Sequence, residues 1–324
     1  MKFLRNKSLL ITGGTGSFGH TALETLTDKY KLKKIIVFSR DENKQFEMRK
    51  KFPQKNIRFF LGDVRDEARL TMALQGIDYV IHAAAQKQVP AAEYNPFECI
   101  KTNINGAQSV ITASIKNNVK KVIALSTDKA CNPINLYGAT KLCAEKLFVN
   151  ANQLSPMNGT RFSVVRYGNV IASRGSVIPF FKDLINQGKK ELPLTHSEMS
   201  RFFITLSSAV SFVFDSLKDM KGGEISIPKM NSIYIRDLIK FLDKKIKIKI
   251  IGTRPGEKVH EILCSKDETR MLYDYKNSFI IFPEYFLKKN RYGRKVKTDF
   301  FYASNSKNCL SYKKISSLIQ KAKI

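Results

Sequence analysis

The sequence predicts an α/β protein: a doubly wound parallel sheet built mainly from the N-terminal half, with a smaller C-terminal lobe interleaved with it. Three observations predict it. Short, near-continuous apolar segments recur at Ser8–Thr12, Lys34–Phe38, Ile57–Leu61, Tyr79–Ile81, Val122–Leu125 and Arg161–Tyr167. The first five are each followed by a helical pattern, and strands apolar on both faces belong to parallel sheets covered by helices on each side. Polar residues collect just after these segments, at the strand ends where open sheets of this kind bind ligands.

The first segment runs into Gly13-Gly14-Thr15-Gly16-Ser17-Phe18-Gly19 and then a helix through Leu23, Leu26 and Tyr30. Gly13 and Gly16 let the backbone turn and approach a pyrophosphate, with Thr15, Ser17 and Phe18 in the same turn. Gly19 lets helix and strand pack closely, and the helix N-terminus supplies N–H donors and a favourable dipole. The spacing is GxxGxxG rather than GxGxxG, but its place between a strand and a helix reads as a Rossmann dinucleotide turn. The second segment ends in Ser39-Arg40-Asp41, about 20 residues beyond the glycines, where a cofactor ribose lies. Arg40, with Lys44 one helical turn on, offers cations to a 2′-phosphate, so NADP is expected over NAD, with Ser39 and Gln45 beside it. Asp41 either caps the next helix or reaches the ribose.

The third segment ends in Gly62-Asp63-Val64, where Asp63 suits an adenine amino group. The fourth leads into His82-Ala83-Ala84-Ala85, whose small residues admit a close backbone approach, with Lys87 just beyond; His82 reads as a structural histidine. The fifth ends in Ser126-Thr127 and is followed at once by Asp128-Lys129. Ten residues after Thr127 comes Tyr137-Gly138-Ala139-Thr140-Lys141. If that stretch is helical, Tyr137 and Lys141 stand four apart on one face, and the ammonium lowers a phenol from ~10 toward the range of a general base at a carbinol. Simple hydride transfer needs no more than this. Asp128 and Lys129 therefore imply a second proton-moving step, unless the whole stretch is a surface loop and helix. Tyr167, Asn169 and Val170, at the end of the sixth segment, complete the cofactor-facing set.

The domain boundary falls between residues 168 and 169, with an NADP-binding domain before it and a substrate-binding lobe, 169–324, after it. Pro179, Pro193, Pro228 and Pro255 punctuate short elements there. Arg174, Arg201 and Arg254 lie at polar turns, the last in Arg254-Pro255-Gly256-Glu257-Lys258. Guanidinium forks bind diphosphates bidentately, and Glu257 can accept from ribose hydroxyls. Singly these are ordinary surface salt-bridge formers; together, in a lobe over a cofactor cleft, they favour a nucleotide-diphosphate substrate. Lys87, Thr127, Asn169, Val177, Ile178 and Thr195 fill out the expected substrate site.

Composition bounds the rest. A chain of 324 residues suits a main domain with a second lobe. The formal charge of +28 raises the question of nucleic acid. The lysines are scattered over helix faces and the C-terminal region, without interleaved stacking aromatics, so a solvated basic surface is the reading and no nucleic-acid partner is expected. The five cysteines show neither CxxC nor metal-ligand spacing; no metal and a reducing cytoplasm are expected. No apolar run approaches the ~20 residues of a membrane span.

Together these residues resemble the extended short-chain dehydrogenase/reductase family, whose Gly-rich opening, Tyr-x-x-x-Lys pair and nucleotide-sugar lobe occur here in the same order. Within it, Thr127–Ala130, Asn132–Lys141, Val165–Val170, Arg254–Lys258, Ala91–Pro96 and Ser265–Glu268 resemble the C5-inverting UDP-N-acetylglucosamine 4,6-dehydratases of pseudaminic acid biosynthesis. Retaining relatives commonly carry methionine where this chain has Tyr137. Two departures are visible: Gln88 stands where histidine is usual, and Phe203 where tryptophan is usual. The resemblance implies a homo-oligomeric enzyme using UDP-N-acetylglucosamine and NADP. Tyr137, activated by Lys141, would take the C4 hydroxyl proton; Lys129 would serve as base at C5 and Asp128 as acid for the C6 hydroxyl, or the two would share these roles. Lys129 would have to spend time neutral, which burial or a neighbouring cation would arrange. A UDP-sugar 4-epimerase would use the same Tyr137 and Lys141 without needing Asp128 and Lys129.

Overall fold

The computed structural model describes residues 2–157, 159–171, 176–286, 291–297 and 299–306, with Ile315 and Ile319. Strands β1 (Ser8–Thr12), β2 (Lys34–Ser39), β3 (Ile57–Leu61), β4 (Tyr79–His82), β5 (Lys121–Thr127) and β6 (Arg161–Tyr167) fall on the apolar segments. Between them run α1 (Ser17–Lys29), α2 (Glu42–Lys51), α3 (Glu67–Ala73), α4 (Val89–Tyr94), α5 (Pro96–Ile100), α6 (Gly106–Lys116) and α7 (Leu136–Leu154). Side chains start several of these helices by accepting an otherwise orphaned backbone N–H: Asp41 from Lys44, Asp66 from Arg69 and Asn135 from Gly138. Asp41 is thus the helix cap.

Strands β3, β2, β1, β4, β5 and β6 lie side by side in that order, all parallel. The winding reverses between β1 and β4, which opens a crevice at their carboxyl ends. Backbone meets backbone there: Gly13 has φ +62°, and a Cβ on it would come 2.8 Å from Ala84 Cα. A Cβ on Gly19 would lie 1.9 Å from Gly14 O, so α1 can sit against the turn only because residue 19 has no side chain.

After Asn169 come β7 (Asn169–Val170), α8 (Val177–Asn186), β8 (Glu191–Leu194), β9 (Ser200–Ile204), α9 (Leu206–Asp219), β10 (Ile225–Pro228), β11 (Asn231–Tyr234) and α10 (Ile235–Leu242). Then follow β12 (Lys247–Ile250), β13 (Ile262–Cys264), β14 (Leu272–Tyr275), β15 (Ser278–Ile281), β16 (Arg294–Lys295) and β17 (Tyr302–Ala303). This half is not confined to a separate lobe. Strand β10 is buried at all four positions and adds in parallel to β6, and β15, β14 and β16 extend the same sheet antiparallel. The remainder forms small sheets, β11-β9-β7, β12-β8 and β13-β17. A second apolar core, around Ile178, Phe181, Leu192, Phe203 and Leu238, is separate from the core of the large sheet. Among the described residues no helix is long and apolar enough to cross a membrane.

One buried cation ties the halves together. Arg166, on β6, is 0% exposed and places all five N–H donors. Two go to Glu145 of α7, at 2.9 and 2.6 Å, two to Glu268, at 3.0 and 2.8 Å, and one to Leu263 O at 3.0 Å. Removing one partner of a buried ion pair strands the others, so Arg166→Met should cost about 3–5 kcal/mol in denaturant unfolding. Burial works against the charge of Glu268, but Arg166 outweighs it and holds the carboxyl below its ordinary 4.5. That part of the stability is present above pH 4.5 and lost as pH falls below it, so the difference between wild type and variant should shrink on acidification.

Candidate active site

A cavity of ≈ 920 Å³ runs along the carboxyl ends of the strands. After β1 it is lined by Gly13, Thr15, Gly16, Ser17 and Phe18, and after β2 by Ser39, Arg40, Asp41 and Lys44. Asp63 and Val64 follow β3; Ala83, Ala84, Ala85 and Lys87 follow β4. Asp63 is held by Arg65 at 2.8 Å and by Arg40 at 3.5 Å, which brings Arg40 to the cavity mouth. Thr127, Lys129, Tyr137 and Lys141 follow β5 along the lining, with Tyr167 beside Thr127 on the neighbouring β6, then Asn169, Val170 and Val177. Arg201, Arg254 and Glu257 close the far end.

Other expected site residues lie elsewhere. Gln45 is buried and donates to Ser39 O, Ser39 Oγ and Phe60 O, so it braces strand ends rather than lining the cavity. Gly19 is covered by Gly14. Ile178 packs in the second core, and Thr195 is buried with its Oγ1 on Met199 Sδ, so neither faces the cavity. Arg174 lies outside the described residues. Of the two departures, Gln88 lines the cavity, whereas Phe203 is part of the second core.

The site is assembled by α7 closing on the turn after β5. Asn135 caps α7 and also donates to Gly256 O at 2.8 Å, while Glu93 of α4 accepts from Leu136 N at 2.6 Å. The first turn of α7 presses onto the Asp128–Ala130 turn: a Cβ on Gly138 would come 2.3 Å from Lys129 O. Lys258 fixes the far side by donating to Cys131 O at 2.7 Å. These supports were not recognised in the sequence, because a bare Gly, Asn or Glu there reads as ordinary helix chemistry.

The electrostatics differ from expectation in two ways. Burial pushes the Tyr137 phenol up to about 12, with the Lys129 ammonium and a hydrogen bond to Thr127 pulling it down. The cation opposing burial is therefore Lys129 rather than Lys141, whose Nζ donates to Leu125 O at 2.7 Å. Nor is Lys129 disposed to be neutral. Burial works against its charge, but the carboxylates of Asp128 at 3.0 Å and Glu261 at 3.2 Å outweigh burial and hold it above its ordinary value. Asp128, fully buried beneath Lys129 and not lining the cavity, is raised by burial, with Glu261 adding to the rise and Lys129 opposing it. Glu261 lines the cavity and was missed: its sole signal is an acid four residues past Glu257, which spacing alone does not distinguish from a surface acid. Arg201 is buried, donates to Ser200 O and Val259 O, and lies 3.6 Å from Glu257 and 3.8 Å from Glu261.

Lys141 yields a direct test. Burial lowers it to about 8, against 10.5 for an ordinary lysine. Between those values the folded chain binds fewer protons than the unfolded one at this site, so stability rises with pH across the window, by up to ~3 kcal/mol. Wild type should therefore gain on Lys141→Met between pH 8 and pH 10 in urea unfolding; a constant difference would show that burial does not hold this lysine down.

Residues 9–283 match the family described as polysaccharide biosynthesis protein. A relative from Campylobacter jejuni named UDP-N-acetylglucosamine 4,6-dehydratase (inverting) is 54% identical over 310 residues, covering 93% of each chain. A relative from Rickettsia canadensis named UDP-glucose 4-epimerase is 45% identical over 270 residues, 81% of this chain and 79% of that one. The X-ray structure of Pen from Bacillus thuringiensis superposes with a TM-score of 0.91 at 40% identity, covering 99% of both chains. The chain belongs to the polysaccharide biosynthesis protein family.

Proposed function

We propose that this chain is an NADP-dependent UDP-N-acetylglucosamine 4,6-dehydratase that inverts C5. Its product would be UDP-2-acetamido-2,6-dideoxy-β-L-arabino-hex-4-ulose, the first intermediate toward pseudaminic acid. The observation that carries the reading is one cavity lined by Tyr137, Lys141 and Lys129, with the buried Asp128 3.0 Å from Lys129 Nζ. The name of the Campylobacter relative agrees with it. The β1–β4 crevice fits a dinucleotide: no side chain caps α1, which leaves its first N–H groups to an anion, and Gly13, at φ +62°, lets the turn lie against the backbone of Ala84 at the mouth of the crevice. Arg40 and Lys44 would hold the 2′-phosphate. When bound, NADP supplies a hydride acceptor at C4 and a hydride donor at C6.

The chain's own residues move the protons. Tyr137 takes the C4 hydroxyl proton, and the resulting ketone acidifies the C5 hydrogen. Asp128, which burial favours in its protonated form, is closed off from the cavity and would reach the departing C6 hydroxyl through the cavity-lining Thr127 hydroxyl, 3.0 Å from its Oδ1, which gives up its own proton and takes that of Asp128. Lys129 enters as an ammonium and takes the C5 proton as it passes its own to Asp128, which has just given one up, so that Glu261 keeps its charge and the cluster ends as it began; the pair shares the titration. A solvent-derived proton would return to the opposite face of C5 and invert it. Arg201 and Arg254 of the 169–324 lobe would meet the diphosphate, and Glu257 a ribose hydroxyl.

The Rickettsia relatives favour a second reading, a UDP-sugar 4-epimerase. Product analysis separates the two. In deuterated water, UDP-N-acetylglucosamine should lose water, gain deuterium at C5 and show the L configuration by NMR. Dehydration with the D configuration would indicate a C5-retaining enzyme, and a product that keeps its water would indicate epimerisation. Tyr137→Phe should suppress all chemistry, whereas Lys129→Ala should still allow bound NADPH to appear, more slowly because the ammonium that opposes burial at Tyr137 is gone, while water loss falls further, by ~10²–10⁴.

The cofactor is tested separately. Arg40→Asp replaces a phosphate partner with a repelling charge and should weaken NADP about tenfold to a hundredfold, from ~1.5–3 kcal/mol for one charge-assisted bond. NAD binding should change far less. Equal losses in titrations with both cofactors would remove Arg40 from that role.

A further inference from the structure

We propose that Glu261 is a positioning residue of the proton-moving cluster, sharing the Lys129 ammonium with Asp128 so that the negative charge stays on Glu261 and the acid proton on Asp128. The inference rests on the dehydratase reading and specifies how its acid is loaded. Glu261 Oε1 lies 3.2 Å from Lys129 Nζ, and Asp128 Oδ1 lies 3.0 Å from the same nitrogen. The remaining oxygens, Glu261 Oε2 and Asp128 Oδ2, are buried without a hydrogen-bond partner among the described residues. Two buried carboxylates sharing one ammonium leave one charge poorly compensated, and a proton on one of them relieves it.

The surroundings decide which one carries it. Glu261 faces three cations: Lys129, Arg201 at 3.8 Å and Lys258 at 3.9 Å. Asp128 is fully buried and has Lys129 and the Thr127 hydroxyl, at 3.0 Å. The other titratable groups facing the cluster are Tyr137, Cys131, and Glu257, which shares Arg201; His260 beside Glu261 has its Nδ1 on the Ser200 hydroxyl. The directions agree: despite burial, Lys129, Arg201 and Lys258 hold Glu261 below the ordinary carboxylate range, whereas burial and Glu261 push Asp128 above it. The backbone of Glu261 is fixed, with N–H on Ser304 Oγ at 2.9 Å and C=O accepting from Ser304 N at 2.8 Å. The elimination thus begins with Asp128 protonated and Lys129 charged.

Glu261→Gln keeps the shape and removes the charge. The alkaline limb of kcat for water loss should move to lower pH by about one unit or more, with kcat at neutral pH about tenfold lower and KM little changed. Bound NADPH should still form, since Tyr137 and Lys141 are untouched, and Glu261→Asp should restore part of the profile. A readout without turnover stands beside these: the infrared C=O stretch of a protonated carboxylic acid should be present in wild type at neutral pH, absent in Asp128→Asn and diminished in Glu261→Gln. An unmoved alkaline limb with normal kcat, a rise in KM alone, or a protonated-acid band that survives Asp128→Asn would each overturn the inference. If the infrared pattern holds while wild type releases no water from UDP-N-acetylglucosamine, the dehydratase reading falls and the charge assignment stands.

Discussion

The buried guanidinium of Arg166 is the interaction on which the rest of the architecture depends. It joins β6 to α7 through Glu145 and both of them to the C-terminal segment through Glu268 and Leu263 O. Glu268 also accepts from Cys131 Sγ at 3.4 Å and Ser265 N at 3.0 Å, which carries the tie to the loop following Lys129. Five donors in a rigid fork match two carboxylates and a carbonyl in a way an ammonium cannot. The helix bearing Tyr137, the turn bearing Lys129 and the segment bearing Glu261 are thus referred to one fixed point.

Onto that frame the site is pressed by close approach. Gly138 lets α7 meet the carbonyl of Lys129, and Gly13 lets the first turn meet Ala84. Such contacts leave the functional groups little freedom, the condition under which a small cluster of charges has a defined protonation pattern. Around Lys129 that pattern is an ammonium between two acids of unlike surroundings, one buried beneath it and one among three cations.

Much of this was legible in the chain. The strands β1 to β6 were readable because each is apolar nearly throughout, and the crevice because the glycine-rich turn of Gly13 and Gly16 stands between an apolar strand and a helix. The cavity-lining Tyr137, Lys129 and Lys141 were readable from their spacing taken with the Gly-rich opening and the apolar strand before them, since a Tyr and a Lys four apart are common by themselves. The C-terminal return to the sheet was not: β10, β14 and β15 are four residues each, too short for periodicity to place. Charge states were the least accessible. Whether Lys129 sits beside cations or acids depends on Glu261, brought from far along the chain by β13, and no local pattern announces that contact. Gln45 and Thr195 show the converse, polar residues near the expected site whose bonds are spent on strand ends or a neighbouring sulfur.

The parallel pairing of β10 on β6 has a consequence for how the chain folds as it is made. Until Ile225–Pro228 has emerged, β6 is an open edge of an apolar parallel sheet, and Arg166 on that strand has only Glu145 in place to neutralise it. Some sixty residues separate Tyr167 from Pro228, and another forty bring Glu268. The N-terminal half therefore passes through synthesis with its most buried cation half-paired and its edge exposed, the interval in which edge-to-edge association competes with completion of the fold.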